Sequence, residues 1–333
     1  MSALTGVKVV EFAALGPVEY AGMLLADLGA DVTIVLRPGE TQRANVMLRG
    51  RSFVQHDLKS PAGRDAALEL LRDADVLLEG LRPGVMERLG LGPADVAAVS
   101  PRIVYGRMTG WGQTGPLALK AGHDINYLAE TGALWLNRRP GEPPSVPANM
   151  LGDNAGGASF LVMGVLAALL ERERTGAGAV IDAAIVDGAA SLTQTIRGFR
   201  SEGHVLAEEM LTDRTPWYGL YECADGRYVA VGAIEPKFYA DLLRGLGLED
   251  APSRDDPDNY EALRGLFRAL FLERTRDEWV AAFADLDACV SPVHDFDEAV
   301  DSPQLTARGT WLATELGPSA APAPRIHPRP KEG

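Results

Sequence analysis

The stretch VKVVEFAALGPVEYAGMLLADLGADVTIVLRPG, residues 7–39, decides the fold. Its apolar run at 7–12 reads as a strand, Gly16-Pro17 as a turn, the spacing through Leu28 as a helix, and the run at 32–36 as a second strand. Strand, turn, helix and strand make a βαβ unit. Between Val7 and Gly29 the only glycines are Gly16 and Gly22, so the turn lacks the G-x-G-x-x-G pattern that would seat a dinucleotide pyrophosphate on the helix.

The same grammar continues outward. GRDAALELLRDADVLLEG at 63–80 is helix then strand, and PRIVYGRMTGWG at 101–112 is a strand ending in a glycine turn. Alternation of this kind predicts a Rossmann-like α/β fold with a doubly wound, mainly parallel sheet. A Pro- and Gly-rich loop at 137–159 then opens into FLVMGVLAALLERERTGAG. That helix is apolar on nearly every side until Glu171, so it is expected in the centre of the core, with Met163 as an ordinary core residue. AVIDAAIVDGAASL at 179–192 adds a strand and a further helical start.

Composition changes at 197–216, which is polar, aperiodic and expected to be a linker. A smaller α+β domain follows at 217–296, with a hairpin turning at Asp225-Gly226 and three helical segments to about residue 286. The large domain is therefore expected at 1–196. Residues 297–333, rich in proline toward the end, are expected to return toward it as an extended tail.

A chain of 333 residues that is 46% apolar exceeds the size at which one core usually splits, which agrees with two domains. No uninterrupted apolar run of about 18 residues occurs, and MSALTGVKVVEF is no charged-then-apolar leader, so the expectation is a cytoplasmic protein without a membrane span. Net charge of -14 argues against nucleic acid as a partner. From Arg37 to Arg64, however, six basic residues face two acidic ones, a local +4 that suits either a small polyanion or a solvated surface. Cys223 and Cys289 lack metal-ligand spacing and read as structural.

Among five histidines, only His123, in GHDINYLAETG at 122–132, lies in a loop after a strand and Gly-rich turn near a helix start, where α/β sheets present ligands. With Asp124 as the helix cap, the dipole would favour a neutral, basic imidazole. A histidine that merely satisfies a loop carbonyl fits as well. Asp153, in LGDNAGGA, precedes the apolar helix and is a base held ionised by the dipole or simply an N-cap. Glu235, in GAIEPKFY, reads as a first-turn acid.

Taken together, LTGVKVVEFAALGPVEYAGMLLADLGADV, HDLKS at 56–60, LRPGVMERLGLGP at 81–93, RMTGWGQTGP at 107–116, AGHDINYL at 121–128, DAAIVDG at 182–188 and YECADGRYVAVGAIEPKFY at 221–239 resemble the family III CoA-transferase superfamily, and within it the α-methylacyl-CoA racemases. The resemblance implies 1,1-proton transfer on a 2-methylacyl-CoA through an enolate, with CoA arriving as part of the substrate, no separate cofactor and no metal. It implies His123 and Asp153 as the two acid/base groups, one for each face of the carbon, with Glu235 of the small domain supporting the imidazolium. For the CoA it implies Arg37, His56, Asp57, Leu58, Lys59, Gly80, Leu81, Arg82, Arg88, Gly122, Asp124, Ile125, Asn126 and Tyr127. It also implies an interlaced homodimer. Two alternatives stay open: CoA transfer with Asp153 as the nucleophile, and acyl-CoA binding without turnover.

Overall fold

Parallel strands must be covered on both faces, and β1 (Lys8–Phe12) already encodes this, because Val9 and Val10 point into separate apolar clusters. A computed structural model of the chain describes residues 2–14, 16–41, 44–139, 141–203 and 211–327. It divides into two compact units, the first comprising Met1–Leu134, Val146–Thr193 and Arg308–Gly333, the second Trp135–Ser145 and Gln194–Ala307.

In the first unit β1 is joined by β2 (Asp31–Leu36), β3 (Arg51–Gln55), β4 (Val76–Glu79), β5 (Val104–Thr109) and β6 (Ala179–Ala184). All pairings are parallel, in the order β3-β2-β1-β4-β5-β6. The order reverses between β1 and β4, so a ligand crevice is expected at the C-terminal ends of these two strands. One face packs Val9, Val32, Val76 and Val104 against Val18 and Leu25 of α1 (Pro17–Asp27) and Leu161 and Val165 of α7 (Ser159–Thr175). The other packs Val10, Val35, Leu77 and Tyr105 against Ala67 and Leu71 of α2 (Pro61–Arg72), Met86 of α3 (Val85–Arg88) and Val96 of α4 (Pro93–Val99). Helix α1 starts as its sequence predicts: Gly16 takes φ +82° and Pro17 follows at the first helical position.

Two expectations change here. Residues Met150–Ala158 wind as a π-helix that runs directly into α7. The combined helix is long and apolar enough to cross a membrane by length and composition, yet it seats Leu161 and Val165 on the sheet. Met163, expected in the core, is 55% exposed, and Leu170 is 76% exposed. The helix lies over β5 and the edge strand β6, and a helix on a sheet buries one stripe however apolar its remaining faces are.

In the second unit β7 (Tyr218–Glu222), β8 (Tyr228–Gly232) and β9 (Val290–Pro292) form an antiparallel sheet, with Gly226 at φ +73° in the expected hairpin turn. Helices Pro236–Leu246, Tyr260–Phe271 and Arg276–Ala282 cover it around Trp217, Tyr221, Phe267, Phe271 and Trp279. Cys223 is buried in this core, whereas Cys289 is exposed at φ +50°, so only the first behaves as a core residue. Where a linker was expected from 197, the helix Gln194–Ser201 occupies its beginning, and 204–210 lie outside the described residues. The return after 297 is also more ordered than expected: it forms helices Phe296–Val300 and Pro303–Arg308 and a hairpin of Trp311–Thr314 with Gly317–Ala320, to which Arg49 donates a hydrogen bond at Ser319.

Candidate active site

The residues implied for CoA fall after four consecutive C-terminal strand ends of the first unit. Arg37 follows β2, His56 to Lys59 follow β3, Gly80 to Arg82 follow β4 with Arg88 ending α3, and Gly122 to Tyr127 follow β5. Arg37, Gly80 and Leu81 line a cavity of about 800 Å³ together with Glu11, Glu19, Glu40 and Phe53. Arg37, Lys59, Arg82 and Arg88 are exposed cations. The other residues of this set include several that shape the loops. Asp57 accepts the Lys59 N–H at 3.1 Å in its own turn, Leu58 packs on the core, and Asn126 accepts the His123 N–H at 3.0 Å. Tyr127 is buried, donates to the Gly122 carbonyl at 2.5 Å and meets Trp111 edge to face, ring centroids 4.7 Å apart.

Beneath the loop after β4 lies a charged support that sequence patterning does not reveal. Glu79 is fully buried, accepts the Leu81 N–H at 2.7 Å and pairs with Arg107 at 3.0 Å, and Arg107 pairs with Glu87 at 2.9 Å. Burial pushes the Glu79 carboxyl up against the pull of that N–H and of Arg107. A similar pair, Glu11 and Arg51 at 2.6 Å, sits under α1 and has essentially no solvent contact.

The helix α5 (Asp124–Thr131) carries the first candidate base. Its N-cap is His123 and not Asp124, because Asn126 reaches back to the His123 N–H and the His123 backbone is extended. Asp124 therefore occupies the first turn, and its carboxylate is 2.8 Å from the N–H of Asp153. This brings His123, exposed, and Asp153, half-buried, onto adjoining elements of one unit. Asp153 lies in the π-helical turn and not at the start of α7. Desolvation raises its carboxyl above the ordinary carboxylate range, and Asp124 raises it further, while Asn149 and His123 pull it down. Asn149 and Trp111 were both missed in the sequence, where an asparagine before a glycine-rich run and a tryptophan between glycines carry no chemical signature.

Glu235 lies in the second unit, as N-cap of the helix Pro236–Leu246. Met150, a flexible apolar side chain of the kind that accommodates varied acyl chains, is 61% exposed at the start of the π-helical turn.

The arrangement resembles known proteins along its length. The human α-methylacyl-CoA racemase is 41% identical over 330 residues, covering 96% of this chain and 86% of the relative. The mouse α-methylacyl-CoA racemase is likewise 41% identical, over 98% of this chain and 87% of its own. A probable fatty acyl-CoA transferase of Mycobacterium tuberculosis, 31% identical, covers 94% of this chain and 88% of its own length. A crystal structure of that mycobacterial protein superposes with a TM-score of 0.81 at 29% identity, over 98% of this chain and 93% of its own. The model of CoA-transferase family III matches residues 4–332, and with racemases of two mammals aligned across nearly all of those residues, the chain belongs to CoA-transferase family III.

Proposed function

We propose that this protein is an isomerase, an α-methylacyl-CoA racemase that interconverts the (2R) and (2S) forms of 2-methylacyl-CoA thioesters. One observation carries this reading: a histidine and a carboxyl of raised proton affinity lie on adjoining elements, tied by a hydrogen bond from the N–H of one to the residue after the other. Epimerisation needs two such groups. One removes the proton beside the thioester carbonyl, the C–H electron pair passes into an enolate, and the second delivers a proton to the opposite face.

The enolate oxygen needs donors as well. In the π-helical turn the Asp153 N–H is taken by Asp124 and the Asn154 N–H by the Asn149 carbonyl, so the first turn of α5 is the better source. CoA arrives with the substrate, its phosphates met by exposed Arg37, Lys59, Arg82 and Arg88. The same reading assigns Glu235 to support of the imidazolium and expects a homodimer.

The test is incubation with a single epimer of a 2-methylacyl-CoA in D2O, following deuterium and stereochemistry together. Deuterium at the α-carbon with convergence on both epimers is expected. No exchange, with CoA moving to an added free carboxylic acid, would replace the racemase by a transferase that uses Asp153 as nucleophile.

A further inference from the structure

The resemblance places Asp124 among the CoA contacts, yet its side chain does not behave as a ligand group. It is 8% exposed, Oδ2 accepts the Asp153 N–H at 2.8 Å, and Oδ1 is buried without a hydrogen-bond partner. A Cβ on Gly152 would overlap this carboxylate, so the glycine before Asp153 is what lets Asp124 reach the turn. A buried acceptor with one oxygen unsatisfied is costly, and such cost persists where the surrounding structure uses it.

We propose that Asp124 is a positioning residue for proton transfer: following His123 directly, its carboxylate locks the backbone of Asp153 and sets a fixed negative charge beside the Asp153 carboxyl. This deepens the racemase reading and rests on it. The spacing of the two bases then depends on this hydrogen bond in addition to the packing of the π-helical turn against α8 (Ile185–Leu192). The charge has a second effect, because it favours the protonated Asp153, the form that can hand a proton to the enolate.

The other charged groups around Asp153 do not substitute for it. From α5, His123 acts in the opposite sense, and Tyr127 carries no charge near neutrality. From α1, Glu19 is turned to Asn45 at 3.4 Å, and from α8 (Ile185–Leu192), Asp187 is exposed. The π-helical turn itself contributes only the Asn149 side chain at its cap, which lowers the carboxyl.

The experiment measures exchange of a 2-methylacyl-CoA in wild type, Asp124→Asn and Asp124→Ala, from pH 5 to 9, with thermal melting of each. Asparagine keeps an oxygen for the Asp153 N–H and removes the charge, so KM stays within about twofold and the acid limb of kcat/KM moves to lower pH. Alanine removes the bond too, and kcat falls on the order of ten- to a hundredfold as the base is displaced. An unmoved acid limb in Asp124→Asn, with both variants losing activity in step with melting temperature, would make Asp124 merely structural. A raised KM at unchanged kcat would make it the CoA contact that the resemblance implies. Wild-type exchange is the control, because its absence fails the racemase reading and leaves no pair to position.

Discussion

Glu11 and Arg51 show how much charge the parallel sheet can hide. Their side chains are 1% and 0% exposed and 2.6 Å apart, and Gly22 is the residue of α1 that leaves room for them. Burial pushes the Glu11 carboxyl up to about 7 although Arg51 opposes it. A carboxyl raised in the folded state contributes stability that is present below its unfolded value, near 4.5, and is lost as pH rises through about 7. The stability advantage of wild type over Glu11→Gln should therefore shrink between pH 5 and 8, by up to roughly 3 kcal/mol, in denaturant unfolding. A constant advantage would show that Glu11 is ionised throughout. At the candidate active site, His123→Ala should lower α-proton exchange on the order of 10²–10⁴-fold with little change in affinity for a CoA thioester, read by calorimetry. Equal loss of affinity would assign His123 to structure. Histidine in a loop after a strand is visible in a linear sequence. The bond from Asp124 to residue 153, 29 positions away, is not, and neither is a buried Glu11, because burial of a charge is decided by partners that only folding supplies.

Among the elements, strand and helix order could be read from apolar spacing, since a period of two or of 3.6 survives in one dimension. The π-helical turn could not, because one added residue per turn changes backbone pairing without changing which residues are apolar. That turn lies against α8, where a Cβ on Gly156 would come 2.8 Å from the Ala189 nitrogen. Gly156→Ala is expected to cost about 1–3 kcal/mol by overpacking and to lower kcat more than it raises KM, since the turn carries Asp153. Wild-type kcat in a destabilised variant would show that the turn tolerates displacement. The loop after β4 depends on charge instead of shape. Arg107→Ala strands the buried Glu79 and should destabilise by about 3–5 kcal/mol in chemical unfolding, well beyond what Arg88→Ala, at an exposed position, costs.

For the whole molecule the net charge is -14, while within the basic segment Arg37 and Lys59 are exposed in the loops after β2 and β3, and Arg49 and Arg51 are held in ion pairs with Asp27 and Glu11. An exposed cation attracts a polyanion through water, so salt weakens it. Arg37→Ala should raise KM for an acyl-CoA far more than it lowers kcat, and the difference from wild type should narrow as ionic strength rises from 0.01 to 1 M. A salt-independent KM difference would place Arg37 in shape and not in charge recognition. The length and the change of composition near 197 suggested domains at 1–196 and 217–296, whereas the compact units cross those bounds, with Trp135–Ser145 in the second unit and that unit running to Ala307. The ordered hairpin at Trp311–Ala320 was hidden by prolines that suggest an extended chain. All four loops implied for CoA leave the same margin of a ladder whose register is fixed by residues inside the two apolar clusters. The ladder thus holds the margin in place while loop sequences vary, but the loops after β2 and β3 have to be changed together, since Gln55 at the end of β3 donates to the Glu40 carbonyl at 2.9 Å. This margin is the place to begin when breeding a variant for a different thioester.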